Sequence, residues 1–323
     1  MKHLLAAILL ITLAASTALA AVDPGLLALV APDSKALIGA QVAATTSSVF
    51  GQYLFSQLPD DTSIAKLTTA VGFDPRRDIQ EVLVASGDTP SAAILLGRGH
   101  FAPDKIGAAA KLAGAVGTKY RGFEILSGGP NAQVNVGDRP ASFVFLDNSI
   151  LAVGDTASVK SLLDRRSANT SFAGALADRA KQISASNDIW FASLTPPSGI
   201  FGGAPDNGAQ ANPGNPMLTM FQAALQASGG IKFSPTAVVV NAEVLAKSAQ
   251  DAQSMVDVLR FGASMIQMNR KQGGPAANAA SLLDAATFAT SGSVAKISLS
   301  LPEQQMEQLF MQSRPGAKKV AAK

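Results

Sequence analysis

Two Ser-x-x-Lys patterns come nearest to a catalytic arrangement in this sequence. They are Ser63–Lys66 and Ser293–Lys296, and a Ser-x-Asn pattern lies at Ser167–Asn169. In penicillin-recognising enzymes a lysine or another base activates the serine, and a Lys-Ser/Thr-Gly strand completes the site. That third motif is missing from this chain, and no Gly-x-Ser-x-Gly nucleophile elbow occurs. The spacing therefore assigns no serine nucleophile.

Metal ligands are scarce. The chain has no cysteine, and His100 is the single histidine beyond residue 20. Thiolate chemistry is therefore excluded, and a lone histidine cannot supply the usual zinc ligand sets. The nearest acidic clusters, Asp60-Asp61 and Asp74 with Asp78, lack the ligand spacing of a calcium loop. We expect His100 to be structural or solvated, these aspartates to cap helices and turns, and the protein to use no metal or other cofactor.

Nucleotide-binding patterns are missing as well. The sequence has no P-loop, and Gly97-Arg98-Gly99 supplies only the first glycine pair of a dinucleotide fingerprint. Gly154-Asp155-Thr156, at a predicted strand–helix junction, could bind an anion through backbone N–H groups, but we favour a helix cap. The net charge of +3 is a mild excess, not the clustered basic face that nucleic acid needs. With no catalytic constellation found, the sequence predicts a non-enzymatic protein without a nucleic-acid partner.

The first 20 residues have the pattern of a secretory signal peptide. Lys2 precedes an apolar run from Leu4 to Ala15, and Ala18-Leu19-Ala20 fits the small-x-small cleavage rule. The run is shorter than the roughly 20 residues of a spanning helix. We expect cleavage between Ala20 and Ala21, with an uncleaved N-terminal anchor as the alternative. The mature chain is then expected to be periplasmic or secreted and not an integral membrane protein.

The order of predicted elements favours an α+β fold with two similar halves. Each half reads as strand, helix, strand pair, helix, strand pair and helix, which predicts an antiparallel sheet with helices packed on one face. The long helices 103–113 and 249–269 occupy equivalent places after a strand pair. We expect a signal peptide over 1–20, a first half over 21–185, a second half over 186–311 with a Gly/Pro/Asn-rich loop at 198–216, and a basic flexible tail over 312–323.

Hydrophobic periodicity and turn residues locate the individual elements. The predicted strands are 36–42, 79–86, 92–99, 120–126, 142–146, 150–153, 189–194, 230–234, 237–245, 286–291 and 294–301. The predicted helices are 47–58, 103–113, 156–163, 172–183, 217–227, 249–269, 276–285 and 302–311.

Three local patterns carry a resemblance to known proteins. They are Gly72–Ile79 before a strand, Lys119–Phe123, and Leu151–Asp155 running into a helix with Val159 and Leu163. Together they resemble families of exported bacterial proteins of unknown function with duplicated α+β halves, over residues 26–195 with a weaker echo beyond. The resemblance implies architecture and export. It implies no reaction, because none of these motifs is catalytic.

Two apolar stripes that contain methionine suggest either a core or a ligand groove, since methionine serves in both. The first stripe, in helix 251–269, consists of Met255, Val258, Leu259, Gly262, Met265 and Ile266, and the second of Met217, Met220, Phe221 and Leu225. We expect the first stripe to pack on the second half's sheet.

The predicted function is a binding or scaffolding module of the bacterial cell envelope, with an envelope protein or an apolar ligand as partner. The alternatives are a carrier of an apolar ligand and a hydrolase with a dispersed site.

Overall fold

Twelve of the described strands join into one antiparallel sheet in a computed structural model of the chain. The structure describes residues 21–56, 68–69, 71–87, 93–129, 135–136, 139–195, 223–234, 236–268, 270 and 280–312. The strands are β1 (Ala36–Gln41), β2 (Ile79–Ser86), β3 (Ile94–Gly99), β4 (Val116–Tyr120), β5 (Phe123–Ser127), β6 (Asn135–Val136), β7 (Arg139–Pro140), β8 (Ser142–Phe145), β9 (Ile150–Gly154), β10 (Ile189–Ser193), β11 (Ala224–Phe233), β12 (Val238–Ala246), β13 (Ala286–Ser291) and β14 (Val294–Leu301).

Twelve of these strands form the sheet, in the order β13-β14-β12-β11-β10-β1-β2-β3-β9-β8-β5-β4, and β6 pairs with β7 separately. The described helices are α1 (Pro24–Ala28), α2 (Val42–Ser47), α3 (Val49–Ser56), α4 (Pro75–Asp78), α5 (Pro103–Leu112), α6 (Thr156–Ser167), α7 (Ala175–Ser184), α8 (Ala249–Met268) and α9 (Glu303–Gln312). The α+β prediction is confirmed. The strands of the two predicted halves do not form separate sheets, because β1 pairs with β10.

The largest core lies on what we name the first face of the sheet, which carries Leu37 and every second residue along the strands. Leu37, Leu83 and Leu96 are completely buried there. Apolar residues of α1, α6 and α7 belong to the same core and cover this face. Trp190, 1% exposed, packs against Gly39 of the neighbouring strand, where any side chain would overlap the indole ring.

The second face, which carries Ile38, is covered over strands β11–β14. Phe50 of α3 and Met306 of α9 pack on Phe233, Val238 and Leu301. Farther along the same face, α8 packs on β12, β13 and β14. Helices therefore cover the first face in one part of the sheet and the second face over strands β11–β14.

The segment before β1 is fixed to the sheet by a polar contact. The Asp23 N–H donates to both Glu81 carboxylate oxygens, at 3.1 and 3.2 Å. The Asp23 carboxylate accepts from the Leu26 N–H, which caps α1, and from the Arg98 guanidinium at 3.1 Å. Burial raises the pKa of the Glu81 carboxyl, although the Asp23 N–H acts in the opposite direction. Val22 is 2% exposed, so the packed chain starts there.

Most predicted elements are confirmed, three of them residue for residue: 79–86, 286–291 and 294–301. One predicted strand, 120–126, is wrong. Residues 116–127 form the β4–β5 hairpin, in which Arg121 (φ 51°) and Gly122 (φ 83°) make the turn. A two-residue turn with positive φ at both positions matches the twist of a hairpin, so the chain reverses inside the predicted strand.

The predicted helix 217–227 is wrong at its end. From Ala224 the chain is already in β11, which pairs with both β10 and β12. Pairing on both sides outweighs the helical spacing of these few residues. Residues 217–222, and with them most of the second methionine stripe, lie outside the described residues, as do the loop 198–216 and the tail 313–323. The duplication of the two halves stays a prediction.

The apolar stripe of helix 251–269 packs only in its first part. The buried residues of α8 are Ala252, Met255, Val256 and Ala263. Leu259 is half-buried, whereas Met265 and Ile266 are exposed. Phe261 and Met268 are also exposed, although Ala263 between them is buried.

The close approach of Gly39 to Trp190 predicts that Gly39→Ala destabilises the fold by about 1–3 kcal/mol, since overpacking has costs of this order. Denaturant unfolding followed by fluorescence of Trp190, the single tryptophan, measures the loss. Gly97→Ala is the matched control, because a methyl group there would lie 3.8 Å from the Phe101 ring, an ordinary contact. Equal losses in both variants would refute the assigned packing.

Burial along α8 predicts different costs for two methionines. Met255→Ala should lower the free energy of unfolding by about 2–5 kcal/mol, as large-to-small substitutions in cores do. Met268→Ala should change it by no more than about 0.5 kcal/mol, because Met268 is 79% exposed. Thermal or chemical melts of both variants check this. A neutral Met255→Ala would show that α8 is not packed on the sheet as described.

Candidate functional site

A row of apolar side chains crosses the second face of the sheet. The register aligns Ile38 of β1 with Phe191 of β10 on one side and with Val84 of β2 on the other. The alignment continues through β3, β9, β8 and β5. We name this row the apolar strip; its members are Phe191, Ile38, Val84, Leu95, Val153, Phe143 and Leu126. Neighbouring strands lie about 4.8 Å apart, so the strip is about 29 Å long.

The strip is less buried than the opposite face of the same strands. Ile38 is 46% exposed, whereas its chain neighbour Leu37 is completely buried. Val84, Leu95 and Val153 are half-buried, and their neighbours on the first face are not exposed at all. Only Leu126, at one end, is fully buried. The strip therefore presents apolar side chains that the described part of the chain covers incompletely.

The other part of the sheet carries more polar residues on its first face. On β11, β12 and β14 this face holds Ser228, Asn241, Glu243, Lys296 and Ser298, together with the apolar Val239, Leu245 and Val294. Arg179 of α7 pairs with Glu243, and Lys296 does so at 3.3 Å. An antiparallel sheet with one solvated face normally alternates apolar and polar residues in this way. The strands that carry the strip do not alternate apolar and polar residues in this way, so their second face is apolar as well.

Aromatic rings border the strip on one side. Phe101 lies over Gly97, and its ring centroid is 5.6 Å from those of both Phe73 and Phe145. Phe145 in turn meets Phe143 of the strip edge-to-face at 5.9 Å. On the other side, the residues aligned beside the strip are small: Ala36, Ser86 and Ser193. The strip is therefore bordered by bulky rings on one side and by small side chains on the other.

At Leu126 the strip runs into a cavity of about 330 Å³ beside α5. Leu126 and Phe145 form its apolar lining, together with Gly107 of the helix. At the rim the Lys111 ammonium bonds to the Glu124 carboxylate at 2.8 Å. Small-molecule pockets are mostly apolar with a few polar groups and have volumes of about 300–1,000 Å³. The strip and this cavity together form the candidate site.

The residues that the sequence singled out for chemistry have structural contacts. Asp155 caps α6, because its carboxylate accepts from the Ser158 N–H at 2.8 Å. Asp74 likewise caps α4. The hydrogen bond from Arg77 lowers the pKa of Asp78. His100 is exposed, and its backbone N–H donates to the Asp78 carbonyl at 2.8 Å.

The Ser-x-x-Lys pattern at Ser293–Lys296 lies apart from the strip. Ser293 is in the turn before β14, and Lys296 pairs with Glu243 on the first face. Ser63, Lys66, Asp60 and Asp61 lie outside the described residues. In the described ranges, no three His, Asp or Glu side chains group as metal ligands. None of the helices described there combines the length and hydropathy of a membrane span.

Sequence reasoning missed the strip, although a signal for it exists. The strand segment 294–301 (VAKISLSL) alternates apolar and polar residues, whereas 94–97 (ILLG) and 150–154 (ILAVG) are apolar at successive positions. Continuous apolar runs are typical of strands that are buried on both faces. In an antiparallel sheet with a helical layer on one side, such runs indicate that a second apolar layer or ligand is needed.

The fold places the chain among α+β proteins built on one large antiparallel sheet. It is similar to TP0453 of Treponema. Crystal form III of TP0453 matches with a TM-score of 0.54 at 10% identity, over 90% of this chain and 98% of that one. Crystal form IV matches with a TM-score of 0.52 at 10% identity, over 89% of this chain and 96% of that one. At this identity the likeness shows the fold alone. No protein family and no curated protein matches the chain.

Proposed function

We propose that this protein is an exported, non-enzymatic binding protein whose apolar strip holds a linear hydrocarbon chain. The observation that carries the proposal is the row of incompletely buried apolar side chains that includes Ile38, on strands whose first face carries the main core. Burial of apolar surface stabilises a complex by about 25 cal/mol per Å². A ligand on the strip supplies the apolar layer that the described chain leaves incomplete.

The surroundings of the strip favour a hydrocarbon over a peptide. Its strands lie inside the sheet, where the backbone N–H and C=O groups already pair with neighbours on both sides. An extended peptide laid across them would bury its own backbone polar groups without partners, which costs free energy. A hydrocarbon chain is narrow and brings no polar groups, so it fits.

A binding role also agrees with the contacts of the polar residues. The aspartates at candidate positions cap helices, and Lys296 is engaged with Glu243. None of these groups borders the strip. The cavity beside α5 is lined by one ion pair, Lys111 with Glu124, by Asp104 and by apolar groups. The proposal is therefore binding without chemistry on the ligand.

Titration with the apolar dye Nile red tests the proposal. We expect saturable binding to the mature protein with increased dye fluorescence. Ile38→Asp should weaken binding at least tenfold, because it places a charge in the centre of the strip, where burial of an unpaired charge is unfavourable. Val49→Asp is the matched control: Val49 is 60% exposed on α3, outside the strip, and this variant should bind as wild type does.

Trp190 fluorescence melts show that each variant is folded at the temperature of the titration. A wild type that gives no saturable signal would refute the proposed function. Equal weakening by Ile38→Asp and Val49→Asp would assign dye binding to nonspecific apolar exposure and would also refute it.

Export is the second part of the proposal, and it rests on the pattern of residues 1–20. The packing of the segment that follows supports a cleavage site at Ala20. Cleavage there leaves one exposed residue, Ala21, before the buried Val22, whose N–H donates to Ser184 at 2.9 Å. Cleavage farther along would remove a core residue.

N-terminal sequencing of protein from the host's envelope fraction and medium checks the cleavage site. We expect the sequence to begin at Ala21. An intact Met1 on the mature material would contradict export by cleavage, and a start beyond Val22 would contradict the packing argument.

A further inference from the structure

A second cavity, of about 270 Å³, lies on the first face, at the opposite side of the sheet from the strip. Its floor is apolar and consists of Ala31, Ala85, Ile94 and Ala157. One wall is polar and belongs to α6, with Ser158, Ser161 and Arg165. The buried Ser34 and the exposed Asp33 complete the lining. The cavity thus combines a cationic wall with an apolar floor.

Arg165 is the unusual member of this lining. Its guanidinium donates to the Ser161 hydroxyl at 2.8 Å and to the Leu29 carbonyl at 3.3 Å. Its Nε atom is buried and has no hydrogen-bond partner among the described residues. A guanidinium has five N–H donors, so two hydrogen bonds leave most of its capacity unused. Burial lowers the pKa of Arg165, and the charge of Asp33 opposes that effect.

No carboxylate among the described residues forms an ion pair with Arg165. The neighbouring acidic residues have other partners: Asp164 pairs with Arg121, and Asp155 caps α6. Asp33 lines the cavity, but it forms no ion pair with Arg165 among those of the described residues, and its carboxylate is exposed to water. A partly buried cation normally has a partner, because removal from water is costly for an unpaired charge. Among the described residues, Arg165 therefore lines the cavity without an ion-pair partner.

We propose that this cavity binds a small organic carboxylate, with the carboxylate on the Arg165 guanidinium and a short apolar body on the alanine and isoleucine floor. Arginine binds carboxylates through two parallel N–H···O bonds, which gives both strength and orientation. The apolar floor favours such a ligand over an inorganic anion, because an inorganic anion has no apolar group to pack on it. This site is independent of the apolar strip, because the two lie on opposite faces of the sheet and share no residue.

Titration of the full mature protein with butyrate, followed by thermal stability and by NMR line shifts, tests this site. We expect a saturable rise in melting temperature with butyrate and none with inorganic phosphate at equal ionic strength. Arg165→Gln should abolish the saturable effect. Arg166→Gln is the matched control, since Arg166 is exposed on the next position of α6 and should leave it unchanged. Asp33→Asn should tighten binding, because it removes a negative charge beside the carboxylate.

Three outcomes would overturn the proposal. Butyrate could give no saturable effect on the folded wild type, or an effect that persists in Arg165→Gln. Phosphate could bind as tightly as butyrate, which would remove the role of the apolar floor. Since Arg165 also donates to Leu29, Arg165→Gln could lower stability; Arg165→Lys keeps the charge but not the paired N–H geometry, and we expect it to bind at least tenfold more weakly.

Discussion

The antiparallel pairing of β1 with β10 is the interaction on which the rest of the structure depends. It joins strands that are about 150 residues apart in the chain into one sheet, with Ala36 opposite Ser193 and Ala40 opposite Ile189. This register places Trp190 over Gly39 on the first face and Phe191 beside Ile38 on the second. A shift of one residue would exchange the faces of every side chain on β1. The main core and the apolar strip are therefore consequences of the same pairing.

The fold could be predicted from the sequence to the extent that single elements follow local signals. The strands 79–86 and 294–301 and the cap at Asp155 rest on periodicity and capping chemistry. The hairpin at Arg121-Gly122 was missed because an arginine with positive φ gives no sequence signal, although glycine does. The β1–β10 pairing and the strip depend on contacts between residues about 150 positions apart. No local pattern encodes the partner of a strand, so the site became visible only with the sheet register.

The described part of the chain has two exposed apolar surfaces that could bind a ligand, the second half of α8 and the apolar strip, and they differ in their surroundings. The second half of α8 exposes Phe261, Ile266 and Met268. The strip is part of a continuous sheet face, bordered by aromatic rings and continued by a cavity. A ligand on the strip is contacted along its length by side chains that are held in place by a buried layer behind them. The helix end offers no such support, and its role is not explained by the proposed function.

The central claim is that a hydrocarbon chain lies along the strip, and photochemical cross-linking tests it most directly. A long-chain alkyl probe that carries a diazirine is bound to the mature protein, irradiated, and located by mass spectrometry of the peptides. The account predicts adducts on the peptides that carry Ile38, Val84, Leu95 and Val153, and competition by unlabelled chain. Adducts confined to the α8 residues Phe261 to Met268, with none on the strip, would contradict it.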